Sequence, residues 1–253
     1  IEAALALPGG SADGEVLKND KIKTNLFTLM NNVCLVEDVS QIDMFHPRYL
    51  MEDTSSYKEL PSSEWKAALY DLYQDYFFRR QEELWRKNGL EKLPMMKAAS
   101  NMLVCGEDLG FTPKSVPSVM KETCILSLKV QRMPDDDCAF GIPARYPYES
   151  VATTSSHDTS TFRGWWEEIS RDHRQKYWSE VMKRQGEAPL ACSPEIAEWA
   201  IKDHLKCPAM WTVFPLQDLL AIDKDLRRAK ASDEQINDPS NSKHYWRFRL
   251  HIS

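Results

Sequence analysis

The period of hydrophobic and polar positions changes several times along the chain, and each change marks an element. From Ser63, apolar residues at Trp65, Leu69, Leu72, Tyr73, Tyr76, Phe77, Leu84 and Trp85 recur mostly three or four apart, the spacing of one helix face. Ser62 or Ser63 supplies an N-cap, and Gly89 and Pro94 are expected to stop this helix. A second long helix is marked by Trp165, Trp166, Ile169, His173, Tyr177, Val181 and Met182. Ser193-Pro194-Glu195 opens a third, with proline in the first turn, where its missing N–H is not needed.

Between these helices lie short apolar runs at 101–105, 124–130, 151–156 and 209–214, each bounded by polar or proline-containing turns. A helical segment ending at Lys121, punctuated by Pro113 and Pro117, separates the first two. Buried strands alternating with helices or long loops predict repeated βα units, hence an α/β fold with a parallel sheet. The first sixty residues are less legible. Gly9 to Asp20 reads as a loose start, Val33 to Val36 as an isolated apolar run, and Asp53 to Tyr57 as a loop. Residues 1–60 are therefore expected to be an insertion or connecting segment, and 61–253 the α/β unit.

Three of the apolar runs end on acids: Cys105 leads to Gly106-Glu107-Asp108, Ser156 to His157-Asp158, and Phe214 to Pro215-Leu216-Gln217-Asp218. In a parallel barrel the C-terminal strand ends converge on the face that carries the active site, so acids far apart in sequence would meet there. Carboxyl groups so placed suit cleavage of a glycosidic bond. One donates a proton to the leaving oxygen while another forms a glycosyl ester, the two about 5–5.5 Å apart in retaining enzymes. Acids at loop entrances also serve as helix caps or stay solvated, and spacing alone leaves both readings open.

Composition narrows the partners. A formal net charge of −6 argues against nucleic acid or an anionic membrane, both of which attract excess Lys and Arg. Arg79, Arg80, Arg86 and Lys87 are read as a solvated helix side. With 42% hydrophobic and 28% charged residues the chain is an ordinary globular one, long enough for one large core or two smaller ones. Six scattered cysteines show no disulfide or zinc spacing and are expected to be reduced and buried. His173, His204, His244 and His251 lack any metal-ligand pattern, so no metal is expected. No secretory or spanning pattern is present, and a cytoplasmic location is expected. The chain opens on Ile1 rather than Met, and sequence upstream of it is expected.

The segments Gly106-Glu107-Asp108-Leu109-Gly110 and Ser156-His157-Asp158-Thr159, the latter followed by Gly164-Trp165-Trp166, resemble blocks of the amylomaltases, the 4-α-glucanotransferases of glycoside hydrolase family 77. Pro215 to Asp218 fits a third block. Leu50 to Tyr57, Val130-Gln131-Arg132-Met133-Pro134, Asn237-Asp238-Pro239 and His244 to Arg249 are similar to the plant-type cytosolic branch of that family. The resemblance covers nearly the whole chain but implies only the C-terminal half of a (β/α)8 barrel, roughly strands 5 to 8. It implies no cofactor, and Glu107 as general acid/base. Asp158 is implied as a third carboxylate gripping sugar hydroxyls, with His157 beside it on the same sugar. Maltose and α-1,4-glucans or a branched soluble glucan are the implied substrates. The family's nucleophile lies in an Arg-Ile-Asp-His block. The look-alike Gln41-Ile42-Asp43-Met44 lacks its Arg and His, so the nucleophile is expected upstream of Ile1. Hydrolysis on the same scaffold, or an inactive glucan-binding piece, are the alternatives.

Other positions carry two readings. Asp108 either contacts sugar or starts the segment after the strand. Arg163 either reaches a sugar hydroxyl or pairs with an acid. For Asp218 capping is favoured over lining the site, and for Trp165 and Trp166 core packing over stacking on glucose.

Overall fold

The computed structural model describes residues 12–134, 138–246 and 248–250, with backbone only for 12–18. The readings on Gly9 to Ser11, Arg247 and His251 therefore fall outside the described residues. The chain forms two compact units that part after Leu84, within a long helix.

In the first unit, the expected loose start is instead helix α1, Ala12–Met30. The apolar run near residue 33 becomes strand β1, Leu35–Glu37, paired antiparallel with β2, Phe45–Pro47, which the sequence reading did not foresee. Their connecting turn is organised by Asp38, whose carboxylate accepts from Ser40 N and Oγ, from Gln41 N and from the His46 ring. Hydrogen bonds from Ser40 and His46 hold that carboxyl well below its ordinary range. The short helix α2, Ser55–Lys58, starts at Thr54, whose hydroxyl accepts from Tyr57 N. Helix α3, Ser63–Asp75, starts as expected at Ser62, whose hydroxyl accepts from Glu64 N and Trp65 N. One wide π-turn, Tyr76–Arg80, leads into α4, Gln81–Ala98.

Helix α4 runs through both expected stop signals. Pro94 sits inside it. At Gly89 an added Cβ would lie 3.0 Å from Val119 Cγ1, so glycine there permits a close approach to the next helix. Packing has overridden local preference at this point.

The second unit holds a four-stranded sheet in sequence order, β3 (Cys105–Gly106), β4 (Leu126–Val130), β5 (Ser150–Thr153) and β6 (Trp211–Thr212), all parallel. Helix α5, Val116–Thr123, connects β3 to β4. The expected second long helix is broken into α6 (Phe162–Glu168), α7 (Arg171–Lys176) and a π-turn (Tyr177–Val181). The break is capped: Ser170 leaves the helical conformation and its hydroxyl accepts from His173 N. Helix α8, Pro194–Leu205, follows its proline as expected, and α9, Leu216–Leu220, closes the series.

The core lies among α6, α7 and α8. Trp166 and Tyr177 are fully buried, packed edge-to-face with ring centroids 6.0 Å apart. Trp165 lies against both Phe140 and Tyr177. The tryptophan pair is thus core, as the helical stripe indicated. None of the six cysteines is in a disulfide, but only Cys192 is buried, where loss of water pushes its thiol up to about 12. Cys105, Cys124 and Cys138 are exposed, contrary to expectation.

Candidate active site

Because the four strands are parallel and adjacent in order, their C-terminal ends share one edge. Strands β3 and β5 flank β4, which sets their backbones roughly 10 Å apart at two strand spacings. Gly106 fixes the local orientation at the end of β3. A Cβ there would sit 3.0 Å from Met120 Cε and 3.3 Å from Ile125 Cγ2, so this position faces α5. Strand alternation turns Cys105 and Glu107 to the opposite face, and Glu107 is exposed. No hydrogen bond or ion pair ties it to another described residue.

Its neighbour Asp108 is occupied differently. One carboxylate oxygen accepts from Ser127 Oγ at 2.7 Å and the other from Leu128 N at 2.8 Å, with Lys129 Nζ 3.6 Å away. Ser127 pairs in register with Gly106, so Asp108 braces the end of β3 against β4. That geometry supports the scaffold reading of Asp108, not direct sugar contact.

His157 and Asp158 lie on the loop after β5. The turn is closed by its own hydroxyls: Ser156 N donates to Thr159 Oγ1 at 3.1 Å and Asp158 N to Ser156 Oγ at 3.3 Å. Both side chains at the apex are exposed. Asp158 Oδ2 lies 3.2 Å from His157 Nε2, and Oδ1 accepts from Asn237 Nδ2 at 2.8 Å. The His157 ring stands 5.2 Å from the ring of Trp246, itself half exposed. A carboxylate held from two sides, next to an imidazole and an open indole, can accept hydroxyl hydrogen bonds while an apolar ring face lies alongside.

Asp218 and Arg163 take no place at this edge. Asp218 is 2% exposed. It accepts from Thr154 Oγ1 and Ser155 Oγ before the His157 loop, and from Phe162 N after it. It is neither lining nor a cap for α9; it staples the two ends of the loop. Arg163, 7% exposed, donates to Glu234 Oε1 at 2.9 Å, to Glu167 Oε1 at 3.3 Å, and to the carbonyls of Arg228 and Ala229. Of its two readings the acid pairing is the observed one. Asp43 lies in the β1–β2 turn with φ of 62°, in the other unit. Among the described residues no group of three or more His, Cys, Asp or Glu is placed to hold a metal ion.

Glu107 directly follows β3, and the His157–Asp158 pair lies on the loop that starts where β5 ends at Thr153, so both follow the C-terminal ends of strands in one parallel sheet. The sequence model for 4-alpha-glucanotransferases, glycoside hydrolase family 77, matches residues 34–253. This chain belongs to the 4-alpha-glucanotransferase family. It is 46% identical over 237 residues to the 4-alpha-glucanotransferase DPE2 of Oryza sativa subsp. japonica, covering 93% of this chain and 25% of that protein. It is 30% identical over 172 residues to a 4-alpha-glucanotransferase of Chlamydia pneumoniae, covering 66% and 32%. The chain thus spans about a quarter of the length of its rice relative. Among solved structures, an amylomaltase from Streptococcus agalactiae in complex with acarbose matches 64% of this chain and 31% of its own, with a TM-score of 0.50 and 22% identity. That likeness bears on the fold: an α/β arrangement around a parallel sheet.

In this member of the family, Asn237 and Trp246 reach Asp158 and His157 from irregular segments far down the sequence. Their blocks were visible as family resemblance, but nothing in their spacing pointed at Asp158. Arg132 and Thr159, which hold the loop from below, were equally silent. The Arg163 assignment has a measurable consequence. Burial pushes the Glu234 carboxyl up and the Arg163 charge offsets part of that. Replacing Arg163 by Met should strand Glu234 and destabilise the full-length protein by about 3–5 kcal/mol. In denaturant unfolding a wild-type midpoint for Arg163→Met would refute the scaffold role.

Proposed function

We propose that this chain supplies the acid/base side of a retaining 4-α-glucanotransferase site, and that β3 to β6 are the last four strands of a (β/α)8 barrel. The family match and the order of four parallel strands support the barrel reading. The observation that carries the catalytic reading is the exposed Glu107 at a strand end, with no hydrogen bond or ion pair to another described residue. It shares one sheet edge with a carboxylate held by His157 and Asn237.

In the proposed cycle Glu107 protonates the glycosidic oxygen as the bond to the leaving sugar breaks, and an aspartate sought outside residues 1–253 takes the glucosyl unit as an ester. Asp108 and Asp218 are both consumed in the scaffold, which supports seeking that nucleophile outside this chain. Glu107 then removes the proton from an acceptor hydroxyl, which attacks the ester. Asp158 accepts hydroxyl hydrogen bonds of the same sugar, strongest as positive charge develops on its ring. No step calls on a cofactor. Maltose as donor, a branched soluble glucan as acceptor and a cytoplasmic setting complete the proposal.

Incubating the full-length protein with radiolabelled maltose and a branched glucan tests it. Label in the polymer is expected. Free glucose with unlabelled polymer would instead identify a hydrolase. A finer check concerns Asn237. It fixes one oxygen of an exposed carboxylate, so Asn237→Ala should lower kcat roughly tenfold through lost positioning. Because Asn237 is only partly buried, melting should be little changed. An unaltered kcat would remove it from the site.

A further inference from the structure

We propose that Arg132 is a positioning residue for Asp158, gripping the loop after β5 from the end of β4; this rests on the transfer reading above. Arg132 lies two residues past the last residue of β4, which pairs with both β3 and β5. It is therefore centred between the strand that delivers Glu107 and the strand that delivers Asp158. Its guanidinium donates to Thr159 Oγ1, to the carbonyl oxygen of Ser160 and, at 3.0 Å, to Ser160 Oγ. Ser160 Oγ in turn donates to Glu168 Oε1 on α6.

The contacts fall where they matter for the apex. Thr159 Oγ1 is the atom that accepts from Ser156 N and closes the turn presenting His157 and Asp158. Arg132 thus fixes the turn through its closing hydroxyl, while Asp218 holds the flanks at Thr154, Ser155 and Phe162. A planar fork with several donors suits this task better than an ammonium point charge, because two adjacent acceptors are engaged at once. Burial lowers the Arg132 pKa, and the charges of Asp218 and Glu168 offset part of that. The preceding residue locks the backbone. Gln131 is buried, its side-chain carbonyl accepts from Tyr177 OH at 2.6 Å, and its main-chain carbonyl accepts from Gly141 N at 2.7 Å. The Val130-to-Pro134 motif thereby gains a role. Gln131 anchors the strand end to the aromatic core, and Arg132 carries that rigidity to the Asp158 turn.

The test uses the full-length protein and the singles Arg132→Ala and Thr159→Val with their double. Transfer from maltose to branched glucan is measured across donor concentration. Loosening a turn beneath a reacting group by about 1 Å predicts a kcat loss on the order of 100-fold for Arg132→Ala, with KM for maltose within about threefold. The double variant should lose clearly less than the product of the two single losses, since both singles break the Arg132–Thr159 contact. A kcat within threefold of wild type, or losses that multiply in the double, would overturn the proposal. Should Arg132→Ala fail to fold, Arg132→Lys keeps the charge without the fork and should lose roughly tenfold in kcat with wild-type melting. Unchanged kcat in that variant would also overturn it. A readout independent of turnover is the fluorine resonance of 5-fluorotryptophan at Trp246, which adjoins His157. A shift in Arg132→Ala is expected, and an unshifted line counts against the grip. A wild-type protein with no transfer at all would refute the reaction instead, leaving this resonance to decide the role of Arg132.

Discussion

Replacing Glu107 by Gln in the full-length protein should lower the transfer rate by roughly 100- to 10,000-fold, the range a positioned general acid/base contributes. The amide matches the carboxyl in size but can neither give the leaving oxygen a proton nor take one from the acceptor. The loss should fall on kcat. Glu107 is exposed and makes no hydrogen bond or ion pair with another described residue, so removing its charge leaves the scaffold intact. Melting temperature and the affinity for maltose, read by calorimetry, should stay near wild type. Asp108→Asn, one residue away, should behave in the opposite sense. It disturbs the brace to Ser127, Leu128 and Lys129, and is expected to lower stability before it lowers maltose affinity. If Glu107→Gln keeps more than about a tenth of the wild-type rate, the acid/base assignment fails.

How far these roles could be read in advance depends on whether they are local. Glu107 and His157–Asp158 follow apolar runs directly, so the sequence alone places them after β3 and β5, although β5 ends at Thr153, four residues before His157. The runs were longer than the strands they became. Strand β3 keeps only Cys105–Gly106, and β6 only Trp211–Thr212. These are the outer strands of the sheet, each pairing on one side only, and strand length is set by a partner rather than by hydrophobicity. The fates of Asp108 and Arg163 were not legible for a related reason. A carboxylate that bonds Ser127 requires β4 to lie in register with Gly106, and an arginine that pairs with Glu234 requires residues 71 positions apart to meet. Helix α4 shows the same limit from the other side. Gly89 and Pro94 read as stops, yet Gly89 serves the approach of Val119, a contact with no local signature. Missing α1 had a different cause: Gly, Ser and Asp at 9–20 read as a loop, while the described helix starts within that stretch at Ala12.

Asp218→Ala should be among the most damaging single changes in this chain, and through the fold rather than the chemistry. The carboxylate is 2% exposed and accepts from two hydroxyls and one amide, those of Thr154, Ser155 and Phe162. Alanine would leave three donors without their acceptor. At about 1–3 kcal/mol for each buried group left unsatisfied, and allowing the hydroxyls to rotate toward other partners, the expected loss is at least about 3 kcal/mol. Asparagine discriminates the cause. Its amide oxygen can still accept from Phe162 N and the hydroxyls can turn to accept from its NH2, so Asp218→Asn should lose clearly less. Both losses are measurable as shifts in the urea midpoint at constant slope. The same staple holds both ends of the His157–Asp158 loop, so Asp218→Ala should also slow transfer at temperatures where the protein is still folded. Asp218→Asn should recover part of both losses together. Full activity in Asp218→Ala would mean that the loop needs no support from beneath. Full loss in Asp218→Asn with normal melting would instead place the charge of Asp218 in the reaction, against the buried position that makes it a staple.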